Sequence, residues 1–136
     1  MVLSRFTQCR LHVMVSLKET LRQHGYTPVT LDFRELDSED VDKMVSRLTR
    51  VTRFVVADFT DSESVPHNIK NFVKSEPPTP VIPFLANCAD FDHSILKHLK
   101  RFPNILDCQH YSDGDAVGIL LREHIPALEA KLVEYR

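Results

Sequence analysis

The stretch Phe54-Val55-Val56-Ala57-Asp58-Phe59-Thr60-Asp61-Ser62-Glu63-Ser64-Val65-Pro66-His67-Asn68 decides how this chain is read. An unbroken apolar run stops at an aspartate and passes through a polar turn toward a helix. A strand that is apolar on both faces belongs inside a parallel sheet, and its carboxyl end delivers side chains to the mouth of an α/β crevice. Asp58 stands at that delivery point. A helix beginning near Ser64 to Pro66 would present Asn68 on its first turn toward the same crevice, with Ser62 and Ser64 as its natural caps.

Upstream, Val2-Leu3 reads as a short first strand running into a helix over about Gln8 to His24. Val13, Met14, Leu17 and Leu21 share one stripe of that helix, and Gly25 is its stop. Thr27 to Leu31 forms a second strand, with Pro28 at its start, where a missing amide is tolerated. A second helix follows Asp37-Ser38, with Val41, Met44, Val45 and Leu48 at offsets of three and four. Arg53 to Ala57 is the third strand and the candidate for the sheet centre, and the helix after it runs over about Pro66 to Lys74.

Downstream, the prolines between Ser75 and Pro80 forbid helix continuation. Val81 to Ala86 is the fourth strand, in which Pro83 must sit where its amide would have no partner. A short helix near Phe91 to Lys100 and a brief fifth strand around Asn104 to Asp107 follow. A long amphipathic helix from about Asp115 to Tyr135 ends the chain. Its stripe is Val117, Leu120, Leu121, Ile125, Leu128 and Leu132, with Pro126 expected to bend it. Strict alternation with right-handed crossovers predicts a flavodoxin-like three-layer sandwich, a five-stranded parallel sheet of order 2-1-3-4-5 with helices on both faces. Residues 1–136 form one domain on this reading. The brevity of the first strand leads us to expect a domain excised from, or appended to, a larger protein.

Composition excludes several classes. The chain has 136 residues, enough to bury roughly two thirds of the surface its unfolded form exposes. A net charge of -2 offers no positive reservoir for nucleic acid or anionic lipid. No apolar stretch approaches the roughly 20 residues that span a bilayer. Cys9, Cys88 and Cys108 are odd in number and far apart, which argues against a disulfide framework and for a reducing, cytoplasmic setting. Cys108 with His110, or Cys88 with His93 and His98, lacks the paired spacing of a structural zinc site, and no metal is expected.

Ligands of such a fold bind outside the carboxyl ends of the strands. The side chains delivered there are Ser4, Arg5 and Phe6 after the first strand, Asp32, Phe33 and Arg34 after the second, and Asp58 through Asn68 after the third. Arg5 and Arg34 can meet phosphate oxygens, or stay solvated; Phe6 or Phe33 can stack on a base. Asp58 either touches a ligand or caps the following turn by accepting backbone amides. Gly25, Gly114 and Gly118 cannot supply a P-loop or dinucleotide fingerprint, and no nucleophile elbow is present. A phosphoacceptor receiver with Asp58 as acceptor would need an acidic pair after the first strand and a lysine after the fifth. Those places hold Ser4-Arg5-Phe6 and Asp107-Cys108-Gln109.

Taken in order, Ser4-Arg5-Phe6-Thr7, Leu17-Lys18-Glu19-Thr20-Leu21-Arg22, Gly25-Tyr26-Thr27-Pro28-Val29, Leu31-Asp32-Phe33, Ala57-Asp58-Phe59-Thr60-Asp61, Ser64-Val65-Pro66 and Val81-Ile82-Pro83-Phe84-Leu85 span nearly the whole chain. In that order and spacing they resemble the Toll/interleukin-1 receptor-like (TIR-like) family, in particular bacterial TIR-like domains. The resemblance implies a flavodoxin-like fold, self-association or pairing with other TIR-like domains through helices and the loop after the second strand, and in many members cleavage of the nicotinamide-ribose bond of NAD. Hydrolytic members carry a glutamate one turn into the third helix, and that position corresponds here to Asn68. A developing oxocarbenium ion needs a nearby negative charge, of which a neutral amide supplies a fraction. At about 1.4 kcal/mol per decade of rate, losing several kcal/mol removes orders of magnitude. The resemblance therefore implies a signalling or interaction domain with a nucleotide-shaped crevice, NAD or a related nucleotide as ligand, no required cofactor, and weak or absent NAD cleavage. The alternative is an active NAD glycohydrolase that uses another acid, such as Asp61 or Glu63, or that requires self-assembly.

Overall fold

The structure, a computed structural model, describes residues 1–3, 8–30, 43–44, 47–48, 50–60, 69, 78–87 and 94–135. Among them the elements in chain order are β1 (Val2–Leu3), α1 (Gln8–Gln23), β2 (Val55–Asp58), β3 (Val81–Ala86), α2 (Ser94–Leu99), β4 (Gln109–Tyr111) and α3 (Gly114–Glu134). All strand pairs are parallel, in the order β1-β2-β3-β4.

Continuous burial explains the continuous apolar sequences of β2 and β3, whose residues are buried without exception. Alternate side chains serve two cores, because a strand turns successive side chains to opposite faces. Phe54, Val56, Ile82, Phe84 and Ala86 pack with Val13, Leu17 and Leu21 of α1 and with Val117, Leu121 and Leu128 of α3. Val55, Ala57, Phe59, Val81 and Leu85 pack on the other side with Ile69 and with Leu96 and Leu99 of α2. Each such side chain contributes about 1.5–3 kcal/mol by leaving water, and Leu17→Ala would cost about 2–5 kcal/mol with its cavity.

The helices end and meet as their residues require. Gly25 sits at φ 84, where a side chain would be strained, and closes α1 in a Schellman arrangement. Its N–H donates to the Arg22 carbonyl at 3.1 Å, and the Tyr26 N–H to the Leu21 carbonyl at 3.0 Å. At the start of α3, Asp113 is extended and its carboxylate accepts from the Ala116 N–H at 2.8 Å. The helix then continues through Pro126 to Glu134. Gly118 lets α3 approach α1 closely, since a Cβ there would lie 2.7 Å from Ser16 Oγ and 3.1 Å from Thr20 Oγ1.

Several expected elements lie partly outside the described residues. Lys43, Met44, Arg47, Leu48 and Ile69 are helical, and Met44, expected on an apolar stripe, is exposed. Of the expected strand Thr27 to Leu31, Thr30 forms an isolated parallel bridge to Val2, and the Val2 N–H donates to the Val29 carbonyl at 2.8 Å.

The expected strand at Asn104 to Asp107 is corrected. Ile105 makes only an isolated bridge to Val81, and β4 proper is Gln109–Tyr111. Pro83 gives the reason. The Val81 N–H donates to the Asn104 carbonyl and the Asn87 N–H to the Tyr111 carbonyl, both at 2.9 Å, so alternate amides of β3 face this edge. Pro83 falls in that alternating set and has no N–H to give. From the Val81–Ile105 bridge to the Phe84–Gln109 pair, β3 advances three residues and its neighbour four, leaving one residue extra as a bulge. The bulge inverts the alternation of side chains. Ile105 and Cys108 both pack on the α2 side, while Leu106 and Tyr111 pack on the α1/α3 side.

Candidate functional site

The carboxyl ends of β2, β3 and β4 meet in a buried polar cluster built from Asp58, Thr60, Ala86 and Tyr111. Asp58 ends β2 opposite Phe84, fully buried, on the face that also receives Tyr111. Its Oδ1 accepts the Thr60 N–H at 3.0 Å, a turn closed by the side chain two residues back. Its Oδ2 accepts the Tyr111 hydroxyl at 2.8 Å.

Donor counting fixes the remaining bond. The Tyr111 hydroxyl has one proton, and Asp58 takes it. The 3.3 Å contact between Thr60 Oγ1 and the Tyr111 oxygen therefore has Thr60 as donor. Thr60 Oγ1 in turn accepts the Ala86 N–H at 2.9 Å. Three strand ends are thus tied by groups that satisfy one another inside the protein. That matters because a buried donor or acceptor left unpaired costs about 1–3 kcal/mol. The Phe84 and Tyr111 rings, 6.4 Å apart and tilted by 60°, carry the apolar side of the same contact.

Nearby groups are quieter. Cys108, half-buried and free, has its thiol pushed up to about 11, first by burial and then by the Asp58 carboxylate, with Lys100 pulling the other way. It is a neutral thiol at pH 7 and a poor nucleophile. Lys100 Nζ lies 3.9 Å from Asp107 Oδ1 on the exposed surface. Beside the start of α3, His12 Nε2 lies 3.6 Å from Asp115 Oδ1, also exposed. Among the described residues no group of three or more His, Cys, Asp or Glu could hold a metal ion, and no helix is long and apolar enough to cross a membrane.

Of the residues expected at this edge, Asp58 and its neighbours Phe59 and Thr60 have described positions, and Asp58 performs the turn-capping role. Arg5, Phe6, Asp32, Phe33, Arg34, Ser62, Ser64 and Asn68 lie outside the described residues. Sequence reading placed Thr60 in the stretch delivered to this edge without giving it a role, and it passed over Tyr111. The Asx-type turn from Asp58 to the Thr60 amide is the turn-capping alternative expected for Asp58. Tyr111 carried no comparable signal, because the expected strand ended at Asp107, four residues before it. With the strand ending at Tyr111, the position compared with the receiver lysine holds Ser112-Asp113-Gly114, again without a lysine.

Neither a protein-family model nor a curated protein matches the chain. Among solved structures, it is similar to the crystal structure of a flavodoxin-like domain from a Synechococcus species, with a TM-score of 0.54 and 14% identity over 90% of this chain and 98% of that one. This is a likeness of fold. It agrees with the parallel α/β sheet and makes the architecture flavodoxin-like.

Proposed function

We propose that the chain is a TIR-like signalling or interaction domain that keeps a nucleotide-shaped crevice at the carboxyl edge of its sheet and cleaves NAD weakly or not at all. The observation that carries this reading is the carboxamide of Asn68, at the position where the resemblance puts a carboxylate, on a chain whose β2 ends at Asp58 on that edge. The Val2–Thr30 bridge supports a further strand beside β1 and hence the five-stranded order 2-1-3-4-5. In this proposal NAD or a related nucleotide is the ligand, Arg5 and Arg34 meet its phosphates, Phe6 or Phe33 stacks on its base, and Asn68 bonds ribose hydroxyls. The partners are further copies or other TIR-like domains, and the setting is bacterial and cytoplasmic.

A neutral amide cannot match a carboxylate beside a cationic transition state, so binding outlasts turnover. Incubating the purified protein with NAD and quantifying nicotinamide tests the reading. We expect release at background and a gain of orders of magnitude in Asn68→Glu. Robust release by the unaltered chain, unchanged in Asn68→Glu, would establish the active glycohydrolase instead.

A further inference from the structure

Outside the cluster at the carboxyl edge, the other polar groupings explain themselves. Tyr26 and Arg53 both donate to Glu129 at the opposite end of the sheet. Lys97, Lys100 and Arg101 are exposed near α2. The carboxyl-edge cluster differs in location, because it lies where a fold of this kind binds its ligands. The backbone ladder reaches this edge through the Phe59 N–H to the Phe84 carbonyl and the Asn87 N–H to the Tyr111 carbonyl, each at 2.9 Å. Beyond those bonds, side chains tie the strand ends together. Tyr111 holds Asp58, Asp58 holds the Thr60 amide, and Thr60 holds the Ala86 amide.

We infer that Tyr111 is a positioning residue of the crevice: its hydroxyl, acting through Asp58 and Thr60, sets the exit of β2 against the ends of β3 and β4, and nucleotide affinity there depends on it. The dependence on nucleotide rests on the proposed function. The positioning itself rests on the hydrogen bonds and on the bulge that turns Tyr111 to the α1/α3 face. Tyr111 touches no reacting atom in this scheme. It acts through a chain of two neighbours, as a group that preorganises a site does.

The test uses the whole chain with ADP-ribose as the probe, measured by calorimetry in the unaltered protein, Tyr111→Phe, Thr60→Val, Thr60→Ser and Tyr26→Phe. Tyr111→Phe keeps the ring against Phe84 and removes only the hydroxyl. We expect about tenfold weaker binding in Tyr111→Phe and Thr60→Val. Thr60→Ser, which keeps the hydroxyl, should bind as the unaltered chain does, and so should Tyr26→Phe. Equal affinity in all five proteins would overturn the inference and leave Tyr111 a stabilising residue only. If the unaltered chain binds neither ADP-ribose nor NAD, the ligand reading of the previous subsection fails, and amide hydrogen exchange decides the positioning separately. The Thr60 and Ala86 amides should then exchange at least about tenfold faster in Tyr111→Phe and be unchanged in Tyr26→Phe. Unaltered exchange in Tyr111→Phe would sink it.

Discussion

At the amino end of the sheet Tyr26 donates to Glu129 Oε1, while at the carboxyl end Tyr111 donates to Asp58 Oδ2. The surroundings differ. Glu129 also receives Arg53, whose Nε and Nη2 lie 3.1 and 2.9 Å from its two oxygens, and both side chains are partly open to water, at 49% and 31%. Tyr26 lies edge-on to Phe54 with ring centres 5.0 Å apart. Asp58 is fully buried and accepts a backbone amide besides the phenol. One end joins elements with charges that water screens; the other joins them with hydrogen bonds that water cannot replace. The same pair of functional groups should therefore be worth very different amounts.

The sharpest way to break this contrast is Asp58→Leu, which removes the acceptor of both the Tyr111 hydroxyl and the Thr60 amide. We expect a loss of about 3–4 kcal/mol in urea unfolding, and a loss below about 1 kcal/mol would refute the buried half of the comparison. Next comes the matched pair of phenol deletions. Tyr111→Phe should cost about 2 kcal/mol and Tyr26→Phe under about 1 kcal/mol by the same measurement, with equal costs erasing the distinction.

A pH titration separates the two ends more finely. Cys108 is raised from 9.0 to about 11, chiefly by burial, and Tyr26 from 10.0 to about 12, by burial and then by Glu129. In both cases folding favours the neutral, protonated form. The stability each contributes is thus complete below its unfolded value and lost as pH rises through its folded value. Melting midpoints should fall from pH 9 upward. Cys108→Ala should remove the part of the decline that spans pH 9 to 11, and Tyr26→Phe the part between pH 10 and 12. A curve unchanged by either substitution would contradict the assignment. The smallest effect belongs to Arg53→Ala, about 0.5 kcal/mol in low salt and vanishing near roughly 0.5 M salt, because that ion pair is exposed.

The legibility of the chain followed the range of the interactions. Val81 to Ala86 and the extent of α1 could be read from residue pattern, since apolar continuity and a 3.6-residue stripe report burial locally, and Gly25 marks the end of α1 by its own backbone freedom. Asp58 was legible as a strand end. β4 was misplaced because Ile105-Leu106 carries the apolar signal, whereas Gln109-His110-Tyr111 owes its pairing to backbone bonds with β3. Of the expected site, Asp58 was brought together with Thr60 from the same stretch and with Tyr111, which the reading had not chosen.

Sequence alone determined which segments are apolar on one face or two, where helices stop, and that position 68 carries an amide. Tertiary structure alone decided which side of the sheet Tyr111 faces and which carboxylates Tyr26 and Tyr111 meet. The first depends on Pro83 withholding an amide from a neighbouring strand, and the second on partners 53 and 103 residues apart. Local patterns encode burial, but a hydrogen bond between distant residues exists only after the chain has brought them within about 3 Å.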